Sequence, residues 1–127
     1  MDRTIISTEK APAAIGPYSQ AVRVGDLLFT SGQIPLIPGS MELVTGNIQA
    51  QTKQCMENIK AILEEAGTSM ENCIKLSIFI KDMGQFGKIN EVYGTYFQDN
   101  PPARACVEVA RLPKDVDIEI EAIALVK

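Results

Sequence analysis

Hydrophobic residues recur at helical spacing through the centre of the chain. Apolar side chains recur at intervals of three, four or seven positions, at Ile48, Cys55, Met56, Ile59, Ile62, Leu63 and Ala66. This spacing places those side chains on one face of an α-helix. Asn47 and Gly67 are residue types that favour the first and last caps of a helix. The pattern therefore predicts an amphipathic helix over residues 48–66, with Cys55 among its buried positions.

Alternation of apolar and polar residues predicts the strands. A half-buried strand is expected over residues 74–81, where isoleucine or leucine occupies every second position from Ile74 to Ile80. Residues 103–110 and 117–126 alternate in the same way, and residues 21–31 resemble a hairpin around Gly25-Asp26. Residues 42–44 are a candidate brief strand inside the loop 32–46. Residues 1–19, interrupted by Pro12 and Pro17, are expected to lie extended over the surface.

A second helix is predicted between the strand at 74–81 and the two C-terminal strands. Asp82 and Gln85 have the spacing of a capping box. The apolar face that follows consists of Phe86, Ile89, Tyr93 and either Tyr96 or Phe97. The order of elements predicts an α+β fold, a six-stranded mixed sheet with two helices on one face, formed by a single domain over residues 1–127.

The last strand raises the question of what covers the second face of this sheet. One row of its side chains is apolar, whereas the opposite row mixes Glu119 and Glu121 with Ile123 and Leu125. Two helices bury only one side of a six-stranded sheet. A partly apolar second face indicates association with other copies of the chain, so we expect an oligomer.

Length and charge narrow the function classes. The 127 residues suffice for one domain and carry a net charge of −4, from 12 basic and 16 acidic side chains. Such a balance argues against an open basic track for nucleic acid. The longest apolar run, residues 122–126, is far shorter than the roughly 20 residues of a membrane helix. With no secretory signal pattern in the sequence, we expect a cytoplasmic protein.

The absence of histidine excludes several chemistries. Without imidazole the chain has no Ser-His-Asp or Cys-His nucleophile, no His-liganded zinc and no histidine acid–base catalyst. The three cysteines, Cys55, Cys73 and Cys106, form no Cys-x-x-Cys pair, so we expect free thiols and no metal site. Catalysis would have to rest on carboxylates, Arg, Lys, Tyr, Ser, Cys or backbone groups.

Strand periodicity groups the remaining candidates. Arg104, Cys106 and Glu108 share one face of their strand, as Glu119 and Glu121 share one face of the last strand. An antiparallel hairpin around residues 111 and 112 would place Arg104 opposite Glu119. That arrangement is either a reactive patch of guanidinium, carboxylate and thiol, or a surface salt bridge contributing about a few tenths of a kcal/mol.

Five segments, in the same order along the chain, resemble a known family. Residues 102–113 read PARACVEVARLP and residues 118–124 read IEIEAIA. Nearer the front, residues 13–20 read AAIGPYSQ and residues 30–35 read TSGQIP, and Val92-Tyr93 follows Asn90 in the second helix. These motifs are similar to those of the RidA/YjgF/YER057c/UK114 family, the reactive intermediate deaminases, and within it to the RidA subgroup.

The resemblance implies a homotrimer with a chorismate-mutase-like fold. Its sheets would face inward, and its sites would lie in clefts between subunits. The implied reaction is hydrolysis of 2-iminopropanoate or 2-iminobutanoate to the 2-oxo acid and ammonia. Such imines and their enamine tautomers are released by pyridoxal-phosphate dehydratases, and no metal or organic cofactor is implied. An imine conjugated to a carboxylate is already electrophilic and needs little activation. The implied reaction is therefore compatible with a chain that contains no histidine.

The same resemblance assigns two catalytic residues. Arg104 matches the family arginine, whose planar fork suits a bidentate grip on the substrate carboxylate. Glu119 matches the carboxylate that would position or deprotonate the attacking water.

Further positions would bind substrate. The backbone N–H of Cys106 matches a candidate donor to substrate, and Tyr18 and Ser31 match other site positions. Phe86 and Asn90 would line the cleft from a neighbouring subunit. Glu108 and Glu121 are left outside the site.

Three other functions remain open. Some relatives are assigned an endoribonuclease or translation-inhibitor role, against which the acidic balance and the missing aromatic–basic platform argue. A non-catalytic trimer could instead use Arg104 to hold small carboxylates. A purely structural or chaperone role would leave the arginine and carboxylate without a purpose.

Overall fold

One mixed β-sheet with two α-helices on a single face makes up the chain, in a computed structural model that describes residues 2–126. The strands are β1 Arg3–Ile6, β2 Ala21–Val24, β3 Leu27–Thr30, β4 Cys73–Ile80, β5 Ala103–Glu108 and β6 Ile118–Leu125. The helices are α1 Ile48–Glu65 and α2 Phe86–Gly94. Short 3-10 turns lie at Met70–Asn72, Met83–Gln85 and Pro113–Asp115.

The strand order is β1-β2-β3-β6-β4-β5. All neighbours run antiparallel except β4 and β5, which are parallel. This confirms the predicted α+β class, the six-stranded mixed sheet and the placement of both helices on one face.

The predicted hairpin between the last two strands is wrong. β4 lies between β5 and β6 and pairs with both. The connection contains a 3-10 turn, and its Leu112 and Val116 are buried. It is therefore a packed crossover and not a tight turn. Alternation along a strand fixes which residues share a face, but it does not determine the neighbouring strand.

The N-terminal segment contributes the strand that the sequence did not reveal. Residues 3–6 pair with β2 and form the edge of the sheet, where the prediction had only an extended surface segment. The candidate strand at 42–44 reduces to one isolated bridge between Leu36 and Leu43. The predicted total of six strands is thus correct, but the sixth strand is β1 and not the candidate at 42–44.

The helices follow the predicted bounds closely. The side chain of Asn47 accepts hydrogen bonds from the N–H groups of Gln49 and Ala50, at 2.9 and 3.0 Å. Gly67, directly after the helix end, has φ +87°, a conformation that favours glycine. Before α2, Asp82 caps the turn by accepting from the N–H of Gly84, so only its half of the predicted capping box forms.

The main core lies between the helices and the sheet. Side chains with 0% exposure include Met56, Ile59, Ile62 and Leu63 of α1, Leu76 and Ile80 of β4, and Ile118 and Ile120 of β6. Cys55 is also fully buried, as predicted. α2 adds Ile89 and Tyr93, and Phe97 beyond its end is buried in preference to Tyr96.

The second face of the sheet is apolar across β1, β2, β3 and β6. Register places Ile5, Val22, Phe29 and Ile123 in one row across these strands. Ile5 is 50% exposed and Phe29 is 43% exposed. The helices therefore leave a hydrophobic surface uncovered in the single chain, as the mixed row of the last strand predicted.

Among the described residues, no helix is both long and apolar enough to cross a membrane.

Candidate active site

The predicted site residues fall into two groups on the surface of the chain. The first group lines a pocket of about 360 Å³, where β3 ends and β6 begins. Its lining includes Tyr18, Ser31, Gly32, Ile34, Lys114 and Glu119. Apolar side chains of the N-terminal segment and of the segment after β3 supply much of the remaining wall.

Backbone hydrogen bonds fix the pocket wall that follows β3. The N–H of Gln33 donates to the carbonyl of Ile120 at 2.7 Å, and the N–H of Ile120 donates back at 3.0 Å. Ser31 donates its N–H to the carbonyl of Gln20, at 2.8 Å, and its hydroxyl to the carbonyl of Ser19, at 2.6 Å. The Ser31 hydroxyl proton is thus engaged, which leaves its oxygen available as an acceptor.

A buried glutamine holds the N-terminal wall. The amide nitrogen of Gln20, a residue only 4% exposed, donates to the carbonyls of Thr8, Ala11 and Pro12. Its amide oxygen accepts from the N–H of Thr8 at 2.6 Å. One side chain therefore satisfies four backbone groups and holds residues 8–12 beside the pocket.

Among the described residues that line this pocket, Glu119 is the one that carries a carboxylate. Burial, and secondly repulsion by Glu121, raises the pKa of its half-buried carboxyl above the ordinary value. Within residues 2–126 its carboxylate accepts no side-chain or backbone hydrogen bond. A carboxylate in this environment has increased basicity and free lone pairs, as a general base requires.

The second group surrounds Arg104 on β5, the strand at the opposite edge of the sheet from β1. Nη1 of Arg104 donates to Oδ1 of Asn90 at 2.6 Å. The guanidinium carbon lies 5.2 Å from the centre of the Phe86 ring and 5.1 Å from that of Tyr93. Two aromatic faces and one amide therefore orient the guanidinium, and further N–H groups remain for a planar carboxylate.

Cys106 lies two residues further along β5 on the same face as Arg104. Burial raises the pKa of its half-buried thiol, and the neighbouring Arg104 opposes that shift. The group is therefore a thiol at neutral pH and not an activated thiolate. Glu108, placed outside the site by the sequence, accepts a hydrogen bond from the N–H of Met83 at 2.8 Å.

The two groups do not meet within one chain. Arg104 is in register with Leu76 of β4, which faces the helices, whereas Glu119 is in register with Phe79, which faces the other way. The two side chains thus project from opposite faces, with β4 between their strands. The predicted contact of Arg104 with Glu119 is wrong for the single chain, and so is the salt-bridge alternative. The one ion pair within the described part of the chain joins Arg111 to Asp115.

Two contacts of the site were not predicted. Tyr93 was placed on the apolar face of α2, but its ring also packs against Arg104. Gly32 was recognised only as part of a motif, yet it lies directly against Glu119. Neither contact could be found by spacing, because each joins elements that are distant in sequence. No cluster of three or more His, Cys, Asp or Glu side chains suited to a metal occurs in residues 2–126.

Comparison with known proteins gives consistent matches over nearly the whole chain. A family model described as Endoribonuclease L-PSP matches residues 8–126. A RutC family protein of Pyrococcus abyssi is 56% identical over 124 residues, covering 98% of this chain and 98% of that protein. The structure of E. coli TdcF with bound serine has a TM-score of 0.93 at 50% identity, covering 98% of this chain and 99% of that one. RidA from an Antarctic Psychrobacter species has a TM-score of 0.93 at 46% identity, covering 97% and 99%.

Proposed function

The chain belongs to the YjgF/UK114 family of Rid proteins, and from that membership we propose that it hydrolyses reactive 2-imino acids to 2-oxo acids and ammonia. The observation that carries the proposal is the orientation of Arg104 by Phe86, Tyr93 and Asn90. A guanidinium fixed in one plane is suited to a carboxylate that must be oriented as well as neutralised. The E. coli relative is described with bound serine, which carries such a carboxylate.

The reaction needs a held carboxylate, a positioned water and proton transfers. Arg104 would bind the carboxylate of 2-iminopropanoate or 2-iminobutanoate. Glu119 would take a proton from water as its oxygen adds to the carbon of the protonated C=N bond. The proton on Glu119 then passes to the nitrogen of the resulting carbinolamine, and the C–N bond breaks as the carbonyl forms. Glu119 takes the hydroxyl proton and passes it to the released ammonia, which leaves as ammonium. Imine and water thus yield the 2-oxo acid and ammonia.

Because Arg104 and Glu119 project from opposite faces of one sheet, the complete site requires two copies. We propose a homotrimer in which the β5 edge of one copy approaches the Glu119 pocket of the next. Tyr18, Ser31 and Glu119 would then come from one subunit, and Phe86, Asn90, Arg104 and Cys106 from its neighbour. Burial of the apolar sheet face, including Phe29 and Ile123, would supply the free energy of association.

A coupled assay tests the reaction. Purified protein is added to a threonine dehydratase that releases the imine, and formation of 2-oxobutanoate is compared with the spontaneous rate. We expect a faster appearance of the oxo acid that persists after exhaustive treatment with EDTA. Loss on chelation with recovery on adding a divalent ion would contradict the metal-free mechanism.

Variants of Arg104 test its assignment in the same assay. Arg104→Lys keeps the charge but replaces the planar fork by a single mobile ammonium, so both Arg104→Lys and Arg104→Ala should lose about 10²-fold or more in kcat/KM. Arg23→Ala is the matched control, because Arg23 lies on β2, four strands away from β5. Normal turnover by correctly folded Arg104→Ala would refute the role of this residue.

Two competing functions predict different results. A trimer that only binds carboxylates would bind 2-oxobutanoate but leave the rate of imine hydrolysis unchanged. An endoribonuclease, the activity in the description of the matching family model, would cleave RNA, and Glu119→Gln would change the rate of that cleavage. The net charge of −4 disfavours that second function.

A further inference from the structure

The backbone of Gly32 lies unusually close to the side chain of Glu119. A Cβ atom built on Gly32 would lie 2.8 Å from Cδ of Glu119 and 3.1 Å from its Cγ, with Oε2 closer still. Contacts under about 3 Å to a Cβ are absent from well-packed proteins, because the van der Waals radii of carbon and oxygen do not allow them. The carboxylate therefore occupies space that any other residue type at position 32 would fill.

The backbone at this position has little freedom to retreat. Gln33, the next residue, is held to Ile120 by two reciprocal hydrogen bonds of 2.7 and 3.0 Å. Ser31, the preceding residue, donates its N–H to Gln20. Ile120 also directly follows Glu119, so the same bridge fixes both sides of the close approach. A side chain added at position 32 would displace the carboxylate and leave the backbone in place.

We propose that Gly32 is a positioning residue for Glu119: its missing Cβ lets the carboxylate lie against the backbone, aimed into the pocket. The proposal rests on the proposed function, since it assigns Glu119 the catalytic role described above. Burial raises the pKa of the Glu119 carboxyl, as expected of a group packed against backbone with reduced access to water.

Glycine is required here for space and not for backbone conformation. Gly25, Gly39, Gly46 and Gly67 have positive φ angles, whereas Gly32 does not. Alanine is therefore compatible with the backbone at position 32. The atoms that it would meet belong to the flexible end of a glutamate side chain. We accordingly expect Gly32→Ala to fold with a melting temperature near that of the wild type.

Steady-state kinetics of Gly32→Ala give the first test. Displacement of a catalytic group by about 1 Å can cost about 10²-fold in rate, and we expect a loss of that order in kcat with a smaller change in KM. Gly94→Ala is the matched control, because a Cβ at Gly94 meets no atom within 4 Å and its φ is not positive. It should retain wild-type activity. Full activity in Gly32→Ala would overturn the proposal.

A double-mutant cycle shows whether Gly32 acts through Glu119. Glu119→Ala removes the three atoms that lie nearest to a Cβ built at position 32, namely Cγ, Cδ and Oε2 of Glu119. In that background Gly32→Ala should change the residual rate by less than about twofold, although it costs about 10²-fold in the wild type. Equal losses in both backgrounds would show that Gly32 acts independently of Glu119 and would refute the positioning role.

A titration keeps this proposal separable from the proposed function. The Glu119 carboxyl carbon is followed by ¹³C NMR in the wild type and in Gly32→Ala, with Glu119→Gln identifying the signal. Displacement towards solvent should lower the pKa of Glu119 towards its ordinary value. An unchanged pKa would overturn the positioning role. If the wild-type protein hydrolyses no imine, the proposed function fails, while this titration still decides whether Gly32 places the carboxylate.

Discussion

Glu119 has properties that favour catalysis at the expense of stability. Its half-buried carboxyl lies against backbone, and the repulsion of Glu121 adds to the desolvation that raises its pKa. Ionisation at neutral pH therefore opposes folding, while the same environment increases basicity towards water.

Glu119→Gln should separate these two effects. The amide keeps the shape of the side chain but not its basicity, so we expect kcat to fall by about 10²- to 10⁴-fold. In the wild type, kcat/KM should decline as the pH falls through the raised pKa of Glu119, because the base becomes protonated. Rate profiles from about pH 4, near the ordinary pKa of a glutamate, to about pH 8 measure this decline.

Thermal unfolding of the same variant tests the stability effect. A pKa raised in the folded state means that folded protein binds the proton more tightly than unfolded protein. The stabilising effect of protonation is complete below the unfolded pKa of about 4.3 and is lost as the pH rises through the folded pKa. Glu119→Gln should therefore melt higher than the wild type at pH 7, and this difference should vanish in acid.

Full activity of Glu119→Gln at neutral pH would show that Glu119 has only a structural role.

At the scale of elements, the pocket depends on how the segment after β3 is attached to α1. Asn58 of α1 is 1% exposed, and its amide nitrogen donates to the carbonyls of Ile34 and Leu36, at 3.3 and 3.0 Å. Gln54 donates in turn to Oδ1 of Asn58 at 2.9 Å. The helix thus supplies donors to two carbonyls of this irregular segment, in addition to the hydrogen bond that the N–H of Leu36 donates to the carbonyl of Ile34 at 2.7 Å.

Asn58→Leu should destabilise the protein and disturb the pocket wall. Leucine has a similar volume but leaves the carbonyls of Ile34 and Leu36 without these donors, which should cost about 2 kcal/mol. Urea unfolding at fixed protein concentration measures the loss, with the exposed Lys53→Ala on the same helix as a control expected within about 0.5 kcal/mol. A loss no larger than that of the control would show that Asn58 does not support this segment.

Local pattern predicted the elements better than their arrangement. The helix at 48–66 and the alternating rows of β6 were correct, and in β4 the alternation holds from Leu76 to Ile80, because burial on one face leaves a period in the sequence. Ile74 is instead 42% exposed, where the pairing of β4 with β6 shifts register between Cys73 and Lys75. β1 left no such signal, since Arg3, Thr4 and Ile5 are all exposed. The pairing of β5 with β4 instead of β6 depends on a crossover whose packing no local period encodes.

The candidate site was predicted from motifs and not from spacing. Spacing alone placed Arg104 beside Glu119, and the structure shows them on opposite faces. The resemblance instead implied clefts between subunits, an arrangement that is compatible with two groups of site residues on opposite faces of the sheet. The stacking of Tyr93 on Arg104 and the approach of Gly32 to Glu119 depend on distances between elements, so neither method revealed them.

At the scale of the whole molecule, the uncovered sheet face favours association. Phe29 lies in the middle of that face, beside Val22 and Ile123, and is 43% exposed in the single chain. Light scattering of the wild type should report about three times the chain mass of 13.8 kDa. Phe29→Lys should shift the protein towards monomer and abolish turnover, whereas Glu64→Lys, on the exposed surface of α1, should do neither. A monomeric wild type with full activity would contradict the shared site.

Mixed trimers test most directly whether each site takes residues from two copies. Arg104→Ala and Glu119→Gln should each be inactive as pure trimers. When the two variants are unfolded together and refolded, a site is intact wherever Arg104 comes from one variant and Glu119 from the other.

Random mixing in equal amounts gives such a pairing at about a quarter of the interfaces of a closed head-to-tail ring. We therefore expect about a quarter of the wild-type rate to return, with native mass spectrometry of differently tagged chains confirming that the subunits mixed. Because every variant chain lacks either Arg104 or Glu119, a site formed within a single chain could not regain activity in this way. Verified mixed trimers without activity would refute the intersubunit site.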